Sequence, residues 1–181
     1  MPGIAVFNDD VRDAVKGSFK KDENRGFATG KSGLEESVKF GIVAATRHPQ
    51  IDYNRINYST SPYALCPAQS INYVSSHDDL CLVDKLIVSL PENTSESDLL
   101  RYDKLAQTII FTSQGIPFMF NGEEVFRSKK LVHNSFESPD SINRINWMNK
   151  SVYYDLFDYY KKLIALRKNH AAFRMVAASD I

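Results

Sequence analysis

A histidine and a carboxylate stand side by side in Ser75-Ser76-His77-Asp78-Asp79, directly after the short run Ser70-Ile71-Asn72-Tyr73-Val74. A carboxylate held at the exit of a strand can stabilise a developing positive charge, such as the oxocarbenium-like centre of glycosyl transfer, while a neighbouring imidazole donates to a sugar hydroxyl. Asp78 and His77 suit those two roles. The simpler alternative is that Asp78 or Asp79 merely caps the helix that follows; the strand in front of the pair strengthens the functional reading to equal standing with it. Asp140 and Arg144 stand four apart in Ser138-Pro139-Asp140-Ser141-Ile142-Asn143-Arg144. On one helical turn they can pair and clamp a diol, one accepting and the other donating, although spacing alone fits a plain surface ion pair better. His133 beside Asn134 is a candidate for a pocket rim, whereas His48 and His170 have no convergent ligands around them in the sequence. Glu123 and Glu124 are rejected as an acid and base pair, because neighbours on an extended chain point to opposite faces.

Several chemistries are missing from the pattern. There is no nucleophilic serine motif, phosphate-binding loop, dinucleotide fingerprint or cluster of metal ligands. Glycoside hydrolysis of the usual kind needs two carboxyl groups, about 5 Å apart in retaining enzymes. Only Asp78 can be placed at a strand end.

The elements that must position these residues alternate. Ile4-Ala5-Val6-Phe7 predicts a short buried strand leading into a polar loop at Asn8-Asp9-Asp10. Ser32 and Glu35 have the spacing of a capping box, and Leu34, Val38, Ile42 and Ala45 follow at helical steps. Residues 47–69 hold three prolines and read as an ordered surface loop. A strand is predicted at 71–76, a short helix at 80–90 and a longer one at 95–113, with Leu99, Tyr102, Leu105, Ala106, Ile109 and Ile110 on one face and Gly115 as terminator. A strand at 116–120, a loop at 121–150 and an amphipathic helix at 152–169 complete three βα units. Such alternation predicts α/β architecture with parallel strands and chemistry at their carboxyl ends, the rhythm of a (β/α) barrel. With 181 residues against about 250 for a closed eight-fold barrel, three units leave two strand edges open to other chain or to self-association.

Composition narrows the partner. Basic and acidic side chains number 22 each, giving zero formal charge and a pI near 6.9, so nothing attracts nucleic acid or an anionic membrane. A neutral partner is favoured. Nine Tyr and eleven Phe suit stacking on sugars and an ordinary core alike. Cys66 and Cys81 cannot build a disulfide scaffold or a four-ligand zinc site and are expected as buried free thiols. The opening Met1-Pro2-Gly3-Ile4 is no signal peptide, and no apolar stretch nears the roughly 18 residues of a membrane span. The chain as given is expected to be soluble, with its compartment unassigned and no cofactor.

These stretches together resemble a family. Residues 1–4 through 7–13, Ile71-Asn72-Tyr73-Val74-Ser75-Ser76-His77-Asp78, Leu105-Ala106-Gln107-Thr108 through Gly122-Glu123-Glu124, and His133-Asn134-Ser135-Phe136 through Asn146-Trp147 are similar to the pullulanase-type debranching enzymes of the α-amylase superfamily of glycoside hydrolases. The likeness covers nearly the whole chain. It implies a partial (β/α)8 TIM barrel, about strands six to eight with their helices, so that residues 1–181 are the C-terminal part of an incomplete catalytic domain. Asp78 would be the family's third catalytic carboxylate. His77, Asp79, Asn134, Asp140 and Arg144 would bind an α-glucan, and the nucleophile and general acid would lie upstream of Met1. The parent would hydrolyse α-1,6 linkages with retention, the isolated chain would be inactive, and a structural calcium is not indicated. Two departures stand out: Asp79 replaces the Asn usual after His-Asp, and Phe120-Asn121 replaces a His-Ala pair. The rival readings are a non-catalytic carbohydrate-binding or assembly fragment, and an isoamylase or branching-enzyme relative.

Overall fold

A computed structural model describes residues 3–181; Met1 and Pro2 of the opening motif lie outside the described residues. Three short strands, β1 (Val6–Phe7), β2 (Ser70–Asn72) and β3 (Ile116–Pro117), form a sheet in that order. Both pairings are parallel, with Val6 opposite Ser70 and Ile71 opposite Ile116. The alternation read from the sequence therefore produces the parallel sheet it predicted. The strands are shorter than predicted, and β1 is not buried: Val6 is 49% and Phe7 47% exposed. The reason is position, since β1 and β3 are the two edges and no further strand covers them among the described residues.

Helix α1 (Asp9–Lys16) occupies the stretch expected to be a polar loop. The Asn8 side chain accepts from the Val11 amide at 3.2 Å, and Asp9 and Asp10 meet the positive end of the helix dipole. Val11, Ala14 and Val15 then fall on one buried face. In α2 (Glu35–Ile42) the predicted capping box is absent. Glu35 is already the first helical residue, so Ser32 stands too far away, and the Glu35 carboxylate accepts from the Gly33 amide instead. Gly41 lets α2 approach α1: a Cβ there would sit 2.2 Å from Cγ2 of Val11. Gly41→Ala would gain about 1 kcal/mol of helix propensity against an overpacking cost of about 1–3 kcal/mol in a core that cannot yield. A lowered Tm is expected, and a variant as stable as the parent chain would show that the two helices can separate.

Helix α3 (Leu82–Ser89) starts after Cys81, which makes no side-chain cap. Neither Asp78 nor Asp79 caps it, so the capping alternative for the His-Asp pair falls away. Helix α4 (Glu96–Thr112) matches the prediction closely, with Ser95 accepting from the Asp98 amide. Beyond β3 the chain runs through a 3₁₀ turn at Glu123–Val125, α5 (Asp140–Asn143) and α6 (Asn149–Val152) to α7 (Tyr154–Asn169). The predicted loop at 121–150 thus contains helical turns. One core joins α1, α3 and α4 through Val15, Leu82, Leu86 and Ile110. A second joins α4 to α7 through Phe111, Leu156, Tyr160 and Leu163. Arg167 of α7 donates to the carbonyls of Phe111, Ser113 and Gly115, tying the end of α4 to the start of β3. Cys66 and Cys81 are free, and only Cys81 is fully buried; among the described residues no helix is long and apolar enough to cross a membrane.

Candidate active-site cleft

The polypeptide leaving β2 stays buried through Tyr73, Val74 and Ser75 and surfaces at His77 and Asp78. Tyr73 is fixed from the sheet side. Its ring meets Phe7 and Phe118 edge-on at 4.8 and 6.3 Å, and its hydroxyl donates to Asp9 at 2.6 Å. Asp79 has φ +53°, the left-handed region that Asp tolerates better than most residues, and this turns the chain back beneath the surface. His77 and Asp78 are left projecting, with Nδ1 of His77 2.8 Å from a carboxylate oxygen of Asp78 and side chains 84% and 66% exposed. A pair so wet contributes little stability, so its geometry is available for a ligand at small cost.

His77 and Asp78 form one wall of a cleft of ≈ 330 Å³. Phe120, Arg127, Asn134, Ser135, Phe136 and Asn143 complete it. Arg127 lies 4.6 Å above the Phe120 ring and donates to the carbonyls of Asn121 and Asn143 at 2.8 and 2.6 Å. Asn143 in turn donates to the carbonyls of Ser135 and Ser138 and accepts from the Ser135 hydroxyl. Phe136 is 83% exposed, an apolar ring at the rim. The arrangement offers one carboxylate, an imidazole, two amides, a guanidinium and two aromatic faces. That set suits a neutral polyhydroxylated ligand, since rings pack on CH faces while amides and charges take hydroxyls.

Of the residues expected at the site, the structure brings His77, Asp78 and Asn134 together around the cleft and leaves three outside it. Asn134 also accepts from the Asp79 amide at 3.2 Å. The Asp79 carboxylate faces the other way, 3.7 Å from Nδ1 of His133, whose Nε2 is 3.0 Å from Asp22. Asp140 opens α5 and Arg144 follows its last residue, both with exposed side chains. A backbone bond from the Arg144 amide to the Asp140 carbonyl joins them, and no side-chain ion pair between them exists among the described residues. Sequence reasoning missed Arg127, Ser135 and Phe136, which sit on loops, and Asn143, which ends the single-turn helix α5; none carries a periodic pattern. Glu123, set aside in the sequence together with Glu124 as an acid and base pair, is 1% exposed and accepts from the amide of the cleft residue Phe120. Burial pushes the Glu123 carboxyl up to about 7, against the pull of the Ser75 hydroxyl, the Phe120 amide and Lys16. Among the described residues no group of three or more His, Cys, Asp or Glu is placed to hold a metal ion.

No protein-family model matches the chain. Pullulanase from Bacillus subtilis strain 168 is 39% identical over the whole of it. The chain is a pullulanase homologue. It spans 24% of that relative's length. Among solved structures, type I pullulanase from Bacillus subtilis in complex with maltose superposes with TM-score 0.90 at 38% identity, covering 99% of this chain and 24% of that one. Pullulanase from Paenibacillus barengoltzii in complex with maltohexaose and α-cyclodextrin gives TM-score 0.88 at 39% identity, covering 99% and 26%. The His-Asp pair lies just beyond the carboxyl end of β2 in this parallel sheet.

Proposed function

We propose that this chain is the C-terminal part of a (β/α)8 catalytic barrel, about strands six to eight with their helices, in a debranching enzyme that hydrolyses α-1,6-glucosidic linkages with retention. The observation that carries the reading is Asp78, exposed at the exit of β2 beside His77 in a cleft whose lining holds no second carboxylate. One carboxylate can stabilise an oxocarbenium-like transition state but cannot also supply the nucleophile and the general acid. Those two belong to polypeptide outside these 181 residues, and the chain by itself is inactive.

The substrate is an α-glucan such as pullulan or branched starch or glycogen fragments, in keeping with the maltose and maltohexaose of the related complexes. His77 and Asn134 hold sugar hydroxyls from the cleft walls. Asp79, Asp140 and Arg144 contact more distant sugar units, outside the cleft proper. The open edges of β1 and β3, with Val6, Phe7 and Ile116 exposed, receive the rest of the barrel and let the isolated chain self-associate.

Reducing-sugar release from pullulan tests the proposal, using this chain alone and a chimera in which it replaces its counterpart in the Bacillus subtilis pullulanase. Release by the chimera and none by the chain is expected. Release by the chain alone would mean that a nucleophile and an acid lie among its own residues, and a folded but inert chimera would reject the assignment.

A further inference from the structure

We propose that Lys129 is the positioning residue of the cleft, its buried ammonium fixing the segment that carries Asp78; the catalytic half of this inference rests on the function proposed above. The Lys129 side chain is fully buried, at 0% exposure. An ammonium has three donors, and all three are spent on backbone carbonyls: His77 at 3.0 Å, Asp79 at 2.6 Å and His133 at 2.5 Å. The first two carbonyls flank Asp78, so the backbone on both sides of that residue is held to one point. The third belongs to the segment that supplies Asn134 and Ser135 to the opposite wall. One cation therefore sets the distance between the two walls.

Lys129 is itself anchored from below. Its amide donates to the Asp84 carboxylate of α3 at 2.7 Å, and the same carboxylate accepts from the Ser128 hydroxyl. The turn it holds is one the chain would not keep unaided, since Asp79 is left-handed at φ +53°. A second brace acts in parallel through the Asp79 amide, which donates to Asn134. Lys129 is not itself among the cleft-lining residues and meets the cleft only through backbone carbonyls, so its effect on chemistry runs through the placement of Asp78. Sequence position gives no hint of this, because lysine is almost never fully buried unless partnered.

Two arms test the proposal. In this chain, Lys129→Met is expected to raise amide hydrogen exchange at residues 77–80 and 133–135 by roughly tenfold or more, while amides of β2 and α4 stay within about twofold. In the chimera, Lys129→Met is expected to lower kcat about 100-fold with KM within about threefold, the penalty of a reacting group misplaced by about 1 Å. Lys129→Arg, which keeps the charge and several donors, should recover part of both losses. Unchanged exchange at 77–80, or an unchanged kcat in an active chimera, overturns the assignment. So does exchange that rises throughout the chain in both variants, which marks a general structural role. An inactive chimera with Lys129 intact rejects the functional reading instead, and the exchange arm still decides whether Lys129 orders the segment.

Discussion

Asp78→Asn in the chimera is expected to lower kcat by about 10²–10³-fold, the usual scale for deleting one electrostatic contact to a transition state. The substitution keeps the shape of the side chain and removes its charge. The carboxylate's one close partner is Nδ1 of His77 at 2.8 Å, and it is two-thirds exposed, so it holds no buried structure together. Stability should therefore change by no more than about 0.5 kcal/mol. A charge that matters only when the sugar becomes oxocarbenium-like affects kcat and kcat/KM together and leaves ground-state binding nearly alone. Initial rates on pullulan across a range of concentrations separate the two parameters, and thermal unfolding confirms that the fold persists. A fall in kcat of less than about threefold would remove Asp78 from the chemistry. Loss of binding with kcat retained would make it a substrate ligand instead.

The parts legible in the sequence were those with a strong local period. Helix α4 was read nearly to the residue because Ser95 caps it and apolar side chains recur along one face, although Leu105 of that face is 44% exposed. Helix α1 is legible only once Val11, Ala14 and Val15 are counted at helical steps behind a capping Asn, because Asn8-Asp9-Asp10 by itself reads as a loop. The His-Asp pair was found because residue type and strand exit coincide. The other cleft residues carry no such mark. Asn143 reaches Ser135 and Ser138, and Arg127 reaches Asn121 and Asn143, only after the loops have folded on one another. Buried lysines were the least legible, because residue type points outward. Lys85, like Lys129, spends its ammonium on three carbonyls, those of Ser18, Lys21 and Asp22, and that partnership exists only in three dimensions.

Between pH 4.5 and 7 the chain is expected to lose stability as pH rises, on the order of 3 kcal/mol, and Glu123→Gln should remove most of that slope. Burial raises the Glu123 carboxyl from 4.5 to about 7. In this window the unfolded chain has released the proton and the folded chain still holds it, so rising pH favours unfolding; at roughly 1.4 kcal/mol per pKa unit the interval gives the quoted magnitude. Asp103, also fully buried, is raised well above its usual value by burial, with Tyr160 donating to it, and it leaves a residual slope of the same sign in the variant. Lys16 acts elsewhere: burial lowers it to about 8, so the folded state sheds its proton first and stability rises between about pH 8 and 10.5. Urea unfolding midpoints at pH 5, 6 and 7 measure the effect, and equal slopes in the parent chain and Glu123→Gln would refute it. The consequence reaches the cleft, because one Glu123 oxygen accepts from both Gln107 and the Phe120 amide. Phe120 lies under Arg127 in the cleft lining. Both bonds to Glu123 favour the ionised carboxyl and oppose the effect of burial, so the titration that weakens the fold tightens the hold on the Phe120 amide.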